Sequence, residues 1–145
     1  MNAEAPTNWA DALRGGEART AADRKRLMYV AGQLADLAVS LRNRATATST
    51  KRKTLGDEAN DHILDTKEEL EEMEIAELKP VLAAVEKFDK KSLREVTGDD
   101  ERIYGTAADA VTAAAEAFVK AHQGGGKLPK SIKVPSKVKG VAFEG

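Results

Sequence analysis

Glu58, His62 and Asp65 stand at i, i+4 and i+7, around the stretch "EANDH", a spacing that gathers them on one face of a helix where they could hold a divalent cation. They also flank the solvent side of an apolar seam, where a solvated acidic face accounts for the same residues. No metal ligand is therefore assigned. The stretch "GGGK" at 124–127 suggests a phosphate-cradling loop, but that loop needs a glycine where Ala121 stands and a hydroxyl where Leu128 stands. His62 and His122 are the two histidines, there is no cysteine, and nothing in the spacing places two carboxylates in a cleft. The expectation is a protein without catalytic residues or cofactor.

Arg42, Arg44, Lys51, Arg52 and Lys53 surround a hydroxyl-rich stretch, an arrangement suited to a phosphate backbone. Against a nucleic-acid reading, no aromatic side chain is interleaved for base stacking, and a strongly acidic segment follows directly. The segment 8–27 also fits a helix-turn-helix poorly, its first helix being short and its turn long. Nucleic-acid binding stands as the alternative function. A third reading takes the acidic segment itself as the inhibitor of a basic protein.

These residues sit on a chain of 145 with a net charge of −1, of which 41% is hydrophobic and 4% aromatic. Alanine supplies 25 positions and buries little area, so the core is thin for its length and close helix packing or self-association would compensate. Charge is segregated: residues 14–53 carry an excess of seven cations, 54–78 an excess of nine anions, and the segment from Lys127 onward is basic again. The absence of cysteine excludes a disulfide framework. The first residues resemble no signal peptide and no run is long enough to span a membrane, which leads to the expectation of a cytoplasmic protein.

The positioning elements follow from periodicity. "PTNWADALRGG" predicts a two-turn helix carrying Trp9, a candidate interface anchor. Thr20 and Asp23 form a capping-box pair before a long helix whose large apolar residues Leu27, Val30, Leu34, Leu37 and Leu41 recur at 3, 4, 3, 4, beside a smaller stripe of Met28, Ala31, Ala35 and Ala38. Two stripes require more than one neighbour, so this helix is expected to be central. "RNRATATSTKRKT" loses the period and predicts a mobile loop or frayed helix ends. A second seam, Ala59, Ile63, Thr66, Leu70 and Met73, follows a Thr54/Asp57 box, and Pro80 is expected to stop or kink that helix. A short helix from Pro80 should bury Val81, Val85 and Phe88. "SLREVTG" offers a Ser92/Glu95 box, and the last helix is expected from Asp100 or Thr106, with a stripe of Ile103, Ala107, Val111, Ala114 and Phe118.

The predicted fold is an all-α bundle of four to five helices around a central antiparallel hairpin, with residues 1–123 as the helical domain. Residues 124–145 are predicted to form a glycine-tethered, basic, extended arm. The expected function is non-enzymatic binding or assembly: the body self-associates, as a homo-oligomer, or docks on a protein partner, away from membranes. The arm adds a second contact, and Trp9, Ile132, Val134, Val138, Val141 and Phe143 are the candidate anchors.

Overall fold

The computed structural model describes residues 21–122 together with Leu128, Ile132 and Val134. Within them the fold is all-α, with five helices: α1 (Ala21–Thr50), α2 (Lys53–Glu72), α3 (Lys79–Val85), α4 (Lys90–Arg94) and α5 (Asp100–His122), and a 3-10 turn at Ala76–Leu78. The short helix predicted around Trp9 and the Thr20 cap lie outside the described residues.

α1 is the central element. Leu27, Val30, Leu34, Leu37 and Leu41 are all completely buried, as their spacing requires, and Ala31 and Ala38 extend the buried surface to a second face while Met28 is exposed. One face meets α2. Tyr29 bonds Glu69, Asp36 accepts from Thr66, and Ala47 lies against Gly56, so contacts rise along one helix as they descend along the other and the pair is an antiparallel hairpin. The other face meets α5, also antiparallel, since Arg42 reaches Asp109 and Thr112 while Thr48 reaches Asp100. Ala59, Ile63, Thr66, Leu70 and Met73 are buried on the α2 side of this core.

The expected loop at 42–54 is instead the last turns of α1 and a two-residue link. The hydroxyls that weaken helices in isolation are absorbed by the helix itself: Thr50 Oγ1 donates to the Thr46 carbonyl at 2.6 Å and Ser49 Oγ to the same oxygen at 3.1 Å. No large apolar anchor is needed there because the helices cross closely. A Cβ added at Gly56 would lie 3.3 Å from that of Ala47, so small residues are what the crossing accepts. α1 then ends in a Schellman motif, with the Arg52 amide on the Ala47 carbonyl at 2.9 Å and the Lys51 amide on that of Thr48 at 3.3 Å. Lys51 takes the left-handed conformation (φ 57°) that glycine usually supplies.

Two further boundaries differ from the sequence reading, while the last helix starts at Asp100, one of its two expected positions. α2 begins at Lys53, with Arg52 as N-cap and no side-chain cap; Asp57 pairs with Lys53 Nζ at 2.8 Å in place of a box with Thr54. At α4 the box is Asp89/Ser92: the Ser92 amide donates to Asp89 at 2.8 Å and Ser92 Oγ accepts from the Asp89 amide at 2.9 Å, so Ser92 is the third residue of the helix and not its cap. α5 runs unbroken from Asp100 through Gly105, and its most buried line is Tyr104, Ala108, Val111, Ala115 and Phe118, with Ile103 and Ala114 only partly buried. The face is rotated because Tyr104 stacks on Phe88, with centroids 4.8 Å apart. Pro80 sits at the start of α3, where its missing N–H costs nothing, and Val81, Val85 and Phe88 are buried as expected.

The core does not end at residue 123. Leu128 (4% exposed) and Ile132 (3%) belong to the buried cluster, Val134 is half-buried against it, and the Leu128 amide lies 3.5 Å from a carboxylate oxygen of Asp23. The glycine run argued for an independent arm because glycines are costly to order. Burying a leucine or isoleucine side chain contributes roughly 1.5 to 3 kcal/mol, enough to offset ordering the residue that bears it. Ile132 and Val134 are thus held by the chain's own helices and are not free anchors. Trp9, Val138, Val141 and Phe143 lie outside the described residues.

Candidate functional site

The link between α1 and α2 forms one lip of a cleft of about 720 Å³, whose other wall is α4 and the segment after it. The floor is apolar: Ala47 and Gly56 lie at the helix crossing, and Leu64 and Leu93 line it beside them. Val96, 72% exposed, stands at the rim. Around this floor are Lys51, Arg52 and Lys53 on one side and Lys90 and Arg94, one helical turn apart on α4, on the other. Asp57 and Asp61 are the acidic members, and Asp57 is taken by Lys53. Four cations therefore face the cleft against Asp61, while at the link itself the positive end of α2 and the negative end of α1 offset each other.

Arg44 holds the wall in place. Its guanidinium pairs with Asp100 Oδ2 at 3.2 Å, donates to the carbonyls of Leu93 (3.0 Å) and Glu95 (3.2 Å), contacts Thr48 Oγ1, and lies 4.6 Å from the centroid of Tyr104. One buried cation thereby joins α1 to α4, to the segment that follows it and to α5. Burial works to raise the Asp100 pKa, but hydrogen bonds from the Thr97 hydroxyl and amide and from Thr48, together with the Arg44 charge, outweigh it and hold the carboxyl below the usual carboxylate range. Asn60 braces the same wall from α2, its Nδ2 donating to the Leu93 carbonyl at 3.1 Å. Its Oδ1 is buried without a hydrogen-bond partner. Lys67, the lone cation of the acidic segment, donates to the carbonyls of Glu86 and Phe88 and so closes the end of α3.

The five cations proposed for nucleic acid do not form one surface. Arg44 is inside the protein, which corrects its assignment as a contact residue. Arg42 faces α5, paired with Asp109 at 3.0 Å, and Lys53 is paired along α2. Lys51 and Arg52 remain at the cleft and are joined there by Lys90, Arg94 and Val96, which the sequence reading passed over. A Lys/Arg pair at i, i+4 flanking Leu93 and followed by an apolar Val96 was the available signal. Glu58 and Asp65 are exposed, and His62 lies on the α1 side, its Nδ1 3.7 Å from the Asp36 carboxylate. Among the described residues no three metal-ligating side chains are gathered, and no helix is long and apolar enough to cross a membrane.

Comparison with protein-family models, with curated proteins and with solved structures finds no match to the chain.

Proposed function

We propose that this chain is a non-enzymatic binding or assembly protein whose helical body docks on a protein partner. The observation that carries the reading is the cleft beside Lys51: concave, apolar at its floor, cationic at its rim and walled by a buried polar network. Binding sites combine an apolar interior with a few placed polar groups in this way. Arg44, Asp100 and Thr48 nearby are bonded to one another and to backbone carbonyls, which fits a supporting role better than a reactive one. Residues beyond Val134, with Val138, Val141 and Phe143, are the candidate for a second contact. Nucleic-acid binding loses ground as a reading because Arg44 is buried and Arg42 is paired on α5, which leaves Lys51, Arg52 and Lys53 of its cation set at the cleft.

The test uses a photoreactive benzoyl-phenylalanine placed in turn at Met28, Val39 and Val96, the exposed large apolar residues of the body, in the full chain within the cell that makes it. A discrete protein adduct of fixed mass from at least one position is the expected result. Absence of adducts from all three, with a monomeric mass by light scattering, overturns the binding reading.

A further inference from the structure

We infer that the cleft at the α1–α2 link receives an acidic segment of a partner protein, one whose carboxylates alternate with apolar side chains. The inference rests on the binding reading above and names the ligand class of that same cleft. Charge decides the first half. Lys51, Arg52, Lys90 and Arg94 face the cleft with Asp61 as the remaining acid. An anion arriving there meets an excess of side-chain cations.

The floor decides the second half. A ligand of charge alone has no use for Leu64 and Val96, yet both line the cleft among its cations, and Val96 is the most exposed large apolar side chain described. Leucine-like side chains set between carboxylates would cover them while the carboxylates reach the rim. Nucleic acid fits less well, because single strands are held by stacking on aromatic rings and the lining contains none. The volume of about 720 Å³ suits a few side chains and not a folded domain.

One lip of the cleft also carries backbone strain. Lys51, in the lining, keeps a left-handed backbone where glycine would be easier. Across from it, the Arg44 and Asn60 bonds fix the Leu93 and Glu95 carbonyls, so the opposite wall is set before any ligand arrives. A preformed wall spares the ligand the entropy of ordering it.

The experiment titrates the isotope-labelled full chain with three probes and follows its amide resonances. The probes are a dodecapeptide of Glu, Asp and Leu, an oligoglutamate of the same charge, and an oligothymidylate of the same charge. The expected result is saturable shifting at Lys51–Lys53, Gly56 and Val96 by the Leu-containing peptide, with oligoglutamate weaker. The exposed double variant Arg52→Glu/Arg94→Glu, checked for helical circular dichroism, should bind that peptide about tenfold more weakly or worse. Tighter binding of oligothymidylate, shifts confined to other surfaces, or no shifts at millimolar peptide overturns the inference. So does salt-sensitive self-association that the double variant abolishes, since a second copy would then be the occupant. Photo-adducts at Met28 or Val39 alongside a silent cleft would sink this inference and leave the binding function standing.

Discussion

Arg44 and Asp100 meet at 3.2 Å with no more than 4% of either side chain exposed, although 55 residues separate them in the sequence. A pair this deep is desolvated on both sides. It is maintained by the bonds around it: two carbonyls, Thr48 and the Tyr104 ring on the arginine side, Thr97 and Thr48 on the carboxylate side.

Breaking one half of that pair should cost more than removing both. Arg44→Met leaves Asp100 charged and buried and is expected to lose about 3 to 5 kcal/mol, whereas Arg44→Met with Asp100→Asn should lose clearly less than the sum of the single changes. Urea unfolding of the four chains measures the coupling. Simple additivity would show that the two side chains do not act as a pair.

Stability should fall on acidification in a way traceable to Asp100. Its folded pKa lies below the ordinary value of 3.8, so the folded state favours the charged form. The contribution is complete above about pH 4 and is lost as pH falls through the lower, folded value. Thermal melts between neutral pH and pH 2 should show a steeper acid decline for the native chain than for Asp100→Asn. Parallel declines would assign the acid sensitivity to other carboxylates.

Lys51→Gly should stabilise the protein by roughly 1 kcal/mol, because it relieves a left-handed lysine where the Schellman motif wants no Cβ. The same change removes a cation from the cleft. A gain in melting temperature together with weaker acidic-peptide binding is the expected result; a loss of stability would mean that the lysine side chain supports the turn.

Ile132→Ala should cost about 2 to 4 kcal/mol, comparable to Leu34→Ala on the central seam, since both side chains are buried in one cluster. Denaturant melts of the two variants decide it. A cost below about half a kcal/mol for Ile132 would return that residue to a detachable arm.

The long seams were legible from spacing alone, because five large residues at 3, 4, 3, 4 can be buried together only on a helix. Leu27 to Leu41 and Ile63 to Met73 lie where that argument puts them. What spacing could not reveal was burial achieved without large side chains. Ala45 and Ala47 look like a loop in sequence and are buried helix in space, Ala47 against Gly56. Arg44 was legible as a cation but not as a buried one, since its partners come from residues 93 to 104 and only the folded chain brings them near. Half of the cleft was visible as the Lys51–Lys53 run. The other half, Lys90, Arg94 and Val96, belongs to an element too short for periodicity to mark.

The two-residue link at Lys51–Arg52 also bears on the order in which the chain assembles. α1 and α2 close the smallest loop a helical hairpin allows, so their encounter costs little chain entropy, while α5 must return across more than fifty residues to reach the same helix. The hairpin is thus the expected nucleus. Changes along the Leu27–Leu41 seam should slow folding, and changes where α5 docks, at Val111 or Phe118, should chiefly hasten unfolding.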